Sequence, residues 1–325
     1  MKKLKYILSF AVLTSFILIS CEDYLTKEIP FEELGYTPSL VLNAKVSSTT
    51  DTLLISVSKN INYADADRSE FELIQDVDVK LTFDGSQVFV AEPYNPGSGP
   101  YGNPNPYNYI IIFESVELSG KSFKLEANHP DYPSISSEIF LPAASELVSI
   151  SYEKDAVEKV LFGYPISYDK VSVTLKDNPD DRNFYAFSVG TTSFLDTIIS
   201  DYGGQVDTFI YENFGNQYAT TSDDLNATTL GNFNYKVLFD DRNFNGEEYT
   251  FEILFEAWGG GNYADNLVLD YFNISEADFF FTQSYAKYQD AQDFGIFSEP
   301  VTLYSNIDGG LGVFSGEDQI EIPVE

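Results

Sequence analysis

The chain has little of several things: among its 325 residues are one cysteine, one histidine, one tryptophan, and 18 basic residues against 51 acidic ones. A lone cysteine, Cys21, permits no intramolecular disulfide, so a fold must rest on buried apolar area. A lone histidine, His129, removes zinc sites built on two or more histidines and forces any Ser-His-Asp arrangement through one residue. It lies in Asn128-His129-Pro130-Asp131-Tyr132-Pro133, which reads as a surface turn. No apolar run reaches the roughly 20 residues of a spanning helix. The scarcity of Lys and Arg leaves a formal net charge of −33. Nucleic-acid binding, which needs a basic footprint, is thereby excluded. Cations and basic partners are favoured instead.

What is present points to a folded, exported body. Hydrophobic residues make up 43% of the chain and aromatic residues 16%, more than a disordered segment carries. The start reads Met1-Lys2-Lys3-Leu4-Lys5, followed by an apolar stretch over residues 6–19 and Leu18-Ile19-Ser20-Cys21. Basic residues, a short apolar core and small residues at a cut describe a secretory signal over residues 1–20. Leu-Ile-Ser-Cys resembles a bacterial lipobox, so Cys21 is expected to carry the lipid; more than one acyl chain makes such anchoring stable. The expected mature chain keeps 15 basic and 51 acidic residues. Glu22 and Asp23, beside the anchor, resemble the export tag of lipoproteins flipped to the outer face of the outer membrane. That location, facing the cell exterior, is the expectation.

Residues 21–38 carry Pro30 and Pro38 without periodicity and read as a lipidated tether. Period-two patterning then begins. In residues 76–83, Val77, Val79, Leu81 and Phe83 alternate with Asp78, Lys80 and Thr82, as a half-buried strand requires. Asp84-Gly85 predicts a hairpin turn. About seven such strands by Pro142 predict an immunoglobulin-like β-sandwich over residues 39–142. A second mainly β domain is expected over residues 146–325, with strands at 147–152, 170–176, 184–189, 235–239, 249–255 and 267–272. A polar stretch between Thr191 and Asn232 reads as a hairpin with a long excursion. One helix is predicted over residues 276–291, capped by Ser275, with Ala277, Phe281, Tyr285 and Tyr288 on one face. The string Asp-Asp-Arg-Asn-Phe occurs at 180–184 and 240–244 and reads as two similar turns.

Motifs that carry chemistry are few. Residues 241–252 satisfy the written pattern of an EF-hand calcium loop, yet strands flank it and residues 249–255 alternate as a strand, so no metal site is expected. Paired carboxylates are uninformative where acids are this abundant. Gly309-Gly310-Leu311-Gly312 lacks the Lys-Ser or Lys-Thr of a phosphate loop and reads as a tight turn where backbone approaches backbone. Trp258 reads as a core residue at a strand end. Residues 93–108, rich in Pro, Gly and Asn, cannot form a helix or a central strand. They read either as a disordered surface loop or as a contact for a partner or ligand through Tyr94, Tyr101 and Tyr107, flat amphipathic surfaces.

The body resembles a Bacteroidota lipoprotein family, domain of unknown function 4249. Carrying the likeness are Leu118-Ser119-Gly120-Lys121-Ser122-Phe123-Lys124-Leu125, Ile139 to Pro142, Val237-Leu238-Phe239-Asp240 with Phe244-Asn245-Gly246, and above all the C-terminal set. That set is Phe297-Ser298-Glu299-Pro300-Val301, Tyr304-Ser305-Asn306-Ile307 and Gly309-Gly310-Leu311-Gly312-Val313-Phe314. The resemblance implies an outer-membrane lipoprotein beside a TonB-dependent transporter and supplies no catalytic residues or cofactor. The expectation is a non-catalytic accessory or ligand-binding partner of such a transporter. The alternative is a structural or adhesive envelope protein with no transporter partner.

Overall fold

Short alternating strands dominate the first part of the computed structural model, which describes residues 37–61, 72–95, 97, 105–113, 116–161, 163–179, 182–195, 211–217, 219–221, 224–228, 230, 235–256, 267–293 and 301–324. In chain order they are β1 (Leu40–Ser47), β2 (Thr52–Lys59), β3 (Asp78–Phe83), β4 (Gln87–Val90), β5 (Glu92–Pro93), β6 (Tyr109–Ile112), β7 (Lys121–His129) and β8 (Tyr132–Leu141). In β1 the pattern Leu40, Leu42, Ala44, Val46 is buried and the residues between are not. Asp84 and Gly85 take φ of 47° and 70°, and Ser86 N–H donates to Phe83 O at 3.1 Å. This is the turn whose twist matches a hairpin. His129 lies at the β7–β8 turn, its Nδ1 accepting from Asp131 N–H at 3.1 Å.

The later strands are longer. They are β9 (Glu146–Leu161), β10 (Tyr164–Lys176), β11 (Phe184–Leu195), β12 (Tyr211–Gln217), β13 (Ala219–Thr221), β14 (Ala227–Thr228), β15 (Val237–Asp240), β16 (Glu248–Phe255), β17 (Leu267–Ile274) and β18 (Leu311–Val324). Between β17 and β18 lies helix α1 (Glu276–Asp293). The predicted hairpin after β11 is formed by β12, which pairs with it from Val189↔Gln217 to Leu195↔Tyr211. Apart from Thr37, Pro38 and Ile61, the described residues belong to one compact unit, Ser39–Asn60 with Phe71–Glu325.

Three sheets result. One has ten strands in the order β14-β15-β11-β17-β18-β1-β2-β6-β5, with β12 also on β11; the others are β4-β3-β7-β8 and β13-β16-β10-β9. The fold is therefore mainly β with a single helix among the described residues, as patterning predicted. The boundary expected at residues 142–145 falls between β8 and β9, and the ten-stranded sheet draws strands from both sides of it.

The longest strand that the patterning did not predict is β18, which joins the two halves. Its first seven residues pair parallel with β1, from Val41↔Leu311 to Ser47↔Glu317. Its remainder pairs antiparallel with β17, from Ile274↔Glu317 to Leu267↔Val324. Gly310 and Gly312 allow the approach. A Cβ on Gly312, at φ +109°, would lie 2.1 Å from Leu42 O, and one on Gly310 would lie 2.8 Å from Leu40 O. The glycine run is thus where backbone meets backbone, and it opens a strand.

Burial divides into three clusters. The first is bounded by β1, β2, β6 and β18 on one layer and β3, β7 and β8 on the other. The second lies among β10, β11, β15, β16 and β17. The third sits beneath α1, on the opposite face of β11 and β17. Period two explains how one strand serves two clusters: in β11, Tyr185, Phe187 and Val189 face the second, while Phe184 and Ala186 face the third.

Ser275 caps α1, its Oγ accepting from Asp278 N–H at 3.3 Å and from Gly316 N–H in β18 at 2.9 Å. The cap therefore also pins the helix to the shared strand. Of the predicted face the helix buries Ala277 and packs Phe281 against the first core, and it also buries Phe279 and Ala286. Phe281, Tyr285 and Tyr288 stack along that face at 5.9 and 6.4 Å, with Tyr285 exposed.

Candidate functional site: the pocket at Tyr94 and Tyr107

Pairing of β5 with β6 sets the base of the Pro- and Gly-rich loop. Pro93 opposes Tyr109, and Tyr94 N–H donates to Asn108 O at 2.8 Å. Asn108 is buried, and its side chain extends the edge of β2. Its Oδ1 accepts from Val57 N–H at 2.8 Å, while its Nδ2 donates to Val57 O at 3.0 Å and Ile74 O at 2.7 Å. Every hydrogen bond of this buried amide to β2 and to the approach to β3 fixes the loop's exit. Tyr109, beside it, accepts from Val77 N–H through its hydroxyl at 2.8 Å. Burial raises that phenol's pKa.

Above this base is a pocket of about 300 Å³ lined by Leu73, Gln75, Pro93, Tyr94, Asn95, Gly97, Asn105, Tyr107 and Asn108. Asn95 Oδ1 accepts from Gly97 N–H at 3.2 Å, and Asn105 Oδ1 accepts from Tyr107 N–H at 2.9 Å. Each amide oxygen thus braces its own turn. The structure brings two of the three sequence-predicted tyrosines, Tyr94 and Tyr107, to one cavity. Tyr101, Cys21, Glu22, Asp23 and Trp258 lie outside the described residues. Gln75, Asn95 and Asn105 were not foreseen. The cue for Asn95 and Asn105 was their place two residues before a turn amide, the spacing of an Asx turn.

A second pocket, about 430 Å³, lies where β8, β11 and the start of α1 meet, and includes Phe140, Arg182, Phe184, Glu276 and Tyr304. Two of its charged groups, Arg182 and Glu276, engage each other. Arg182 is 3.4 Å from Glu276 and 3.7 Å from Asp240, with its guanidinium 4.7 Å from the Phe184 ring centroid. Arg242 Nε donates to Asp240 Oδ1 at 2.8 Å, so two of the chain's three arginines serve one carboxylate that is 2% exposed. The described part of the first Asp-Asp-Arg-Asn-Phe string, residues 182–184, thereby lies beside the second. Asn183 N–H donates to Asp241 Oδ2 at 2.7 Å, and Asp241 N–H to Asn183 O at 3.2 Å.

The written calcium pattern behaves as a connection between β15 and β16. Asp241 turns inward to Asn183, and Glu252 lies 3.7 Å from Lys170 on the sheet. Among the described residues no group of three or more His, Cys, Asp or Glu side chains is placed to hold a metal ion. No described helix is long and apolar enough to cross a membrane.

Fold and site define a mainly β protein whose sandwiched layers present a small polar pocket at one loop base. The chain belongs to the family described as domain of unknown function (DUF4249), whose model matches residues 26–321. No curated protein matches the sequence. Among solved structures, the collagen adhesin (CNA) from S. aureus aligns over 87% of this chain and 93% of its own, at 9% identity and a TM-score of 0.19.

Proposed function

We propose that the chain is a lipid-anchored lipoprotein of the outer-membrane surface, held through Cys21. In this reading it acts as a non-catalytic accessory or ligand-binding partner of a TonB-dependent transporter. The observation that carries the binding role is the loop pocket: Tyr94 and Tyr107 stand at its wall with two side-chain amides whose oxygens brace their own turns. In the second pocket Arg182 is already engaged by Glu276 and Asp240. The anchor rests on Leu18-Ile19-Ser20-Cys21 and on Cys21 being the chain's one cysteine.

The test is affinity purification from native outer membrane in mild detergent, comparing the intact chain with a variant lacking residues 94–107 and with Cys21→Ser. A stable pair would bury more than about 1,000 Å² and survive extraction. Co-purification of a transporter barrel, diminished by the loop deletion, is the expected result. Recovery of no transporter would reject the accessory role in favour of a structural or adhesive one. Cys21→Ser still held in washed membranes would reject the anchor.

A further inference from the structure

The loop pocket differs chemically from the rest of the molecule. In a chain with net charge −33, residues 93–113 form a run of 21 positions without one charged side chain, and none of the described lining residues is charged. Its polar groups are planar amides and phenols. The Asn95 and Asn105 oxygens accept from the Gly97 and Tyr107 amides, which orients each amide and leaves its Nδ2 hydrogens as donors for a ligand, and Gln75 adds an exposed amide with both a donor and an acceptor. Tyr107 is 37% exposed and Tyr94 half-buried, so rings and hydroxyls are both within reach of a ligand.

We propose that this pocket binds a neutral, polyhydroxylated ligand of the saccharide class. This rests on the reading of the loop base as the chain's binding site and names what it takes. A sugar ring offers hydroxyls that donate and accept in turn, which suits amide donors beside a bifunctional Gln and two phenols. Its C–H faces suit the flat, amphipathic ring of tyrosine. An ionic ligand would meet no countercharge in the described lining, where burying its charge unpaired is costly. The volume of about 300 Å³ lies at the lower end of the roughly 300–1,000 Å³ typical of small-molecule sites. That fits a terminal or branching sugar unit of a longer glycan.

The substitutions follow from the geometry. Asn95→Asp and Asn105→Asp keep the oxygen each turn needs and remove the Nδ2 donor; Tyr107→Phe keeps the ring, and Tyr107→Ala removes it. The detergent-solubilised full chain would be run in native gels cast with dextran, starch, xylan or galactomannan, with polygalacturonate as the charged control. Matching soluble oligosaccharides as competitors would separate recognition of free sugars from recognition of the polymer alone. The expected result is retardation by at least one neutral glycan. That retardation should weaken tenfold or more in the Asn95→Asp, Asn105→Asp double variant and in Tyr107→Ala, with thermal midpoints unchanged. No retardation by any neutral glycan, a preference for polygalacturonate, or equal retardation of all variants would overturn the proposal. A transporter recovered without glycan binding would overturn this inference alone. Glycan binding without a transporter would overturn the accessory role alone.

Discussion

The two main cores are built from different material. The first, between β1, β2, β6 and β18 and the layer of β3, β7 and β8, is mostly aliphatic: Leu40, Leu42, Val46, Leu53, Ile55, Val57, Val79, Leu81 and Leu125 are at most 1% exposed. The second is a lattice of rings. Phe187 lies 4.9 Å from Phe251 and 5.4 Å from Tyr271, and Phe239 lies 4.9 Å from Phe251, in tilted, stacked and edge-on arrangements. Aliphatic cores tolerate volume-conserving exchange. Buried tyrosines add a demand, because each hydroxyl needs a partner. Tyr185 donates to Asp177, and Tyr271 donates to Asn273 at 2.8 Å and accepts from Ser145 N–H at 3.2 Å. Burial drives both phenols' pKa values far above the ordinary range, with the Asp177 contact adding to the effect at Tyr185. The first core holds one such phenol, Tyr109, which accepts from Val77 N–H at 2.8 Å, whereas the second buries two that lie ring against ring, so the cores differ in how much of their packing carries a polar demand.

The largest expected effect separates the two by striking only the first. Gly312→Ala places a Cβ against Leu42 O at a backbone angle that L-residues rarely adopt, and should cost more than about 3 kcal/mol. Amide exchange would quicken in β1 and β2 while β10 and β16 stay protected. Equal loss of protection in both would show that the cores unfold as one, and the contrast would lose its meaning.

A middle-sized effect is expected from Tyr185→Phe, which preserves the ring lattice but strips a donor from Asp177, leaving that carboxylate the Gly246 N–H at 2.7 Å. A loss of about 1–3 kcal/mol in chemical denaturation is expected. A value near zero would mean that the second core is specified by shape alone.

The smallest effect concerns charge. Burial raises the Asp241 carboxyl's pKa above the ordinary range, against the lowering influence of Asn183. A carboxyl with a raised folded-state pKa contributes stability that is fully present below its unfolded pKa and is lost as pH rises through the folded one. Asp241→Asn, whose Oδ1 still accepts from Asn183, should melt slightly higher than the parent at neutral pH, with the difference closing in acid. A lower midpoint at neutral pH would indicate that the ionised form is the one the fold favours.

Where local pattern decides structure, it was readable. Strict alternation marked β1, β3 and β10, and Asp84-Gly85 marked its turn. β18 escaped because its partners are non-local: Val313 and Phe314 sit side by side, buried, and Glu317 and Asp318 interrupt the apolar pattern. β9 was read only to Tyr152 because Glu153, Lys154, Asp155, Glu158 and Lys159 conceal a ribbon whose pairing with β10 runs on to Leu161↔Tyr164. The second buried face of α1 was not legible, because Phe279 packs on Phe184 at 4.8 Å, a contact that helical periodicity within one segment does not contain. At the site, the tyrosines were evident from composition. Gln75 was not, since only the fold brings it to a loop about twenty residues further along.

The double pairing of β18 also sets an order of events. Synthesis runs from the N-terminus at about 5–20 residues per second, and 263 residues lie between Ser47 and Leu311. The seam between β1 and its parallel neighbour therefore cannot close until tens of seconds after β1 emerges. Through that interval one flank of β1 keeps its amides and carbonyls unpaired, the condition in which strands recruit the wrong partner. A nascent chain of this design relies on whatever shields that flank, and losing its last fifteen residues would leave the oldest part of the chain unfinished.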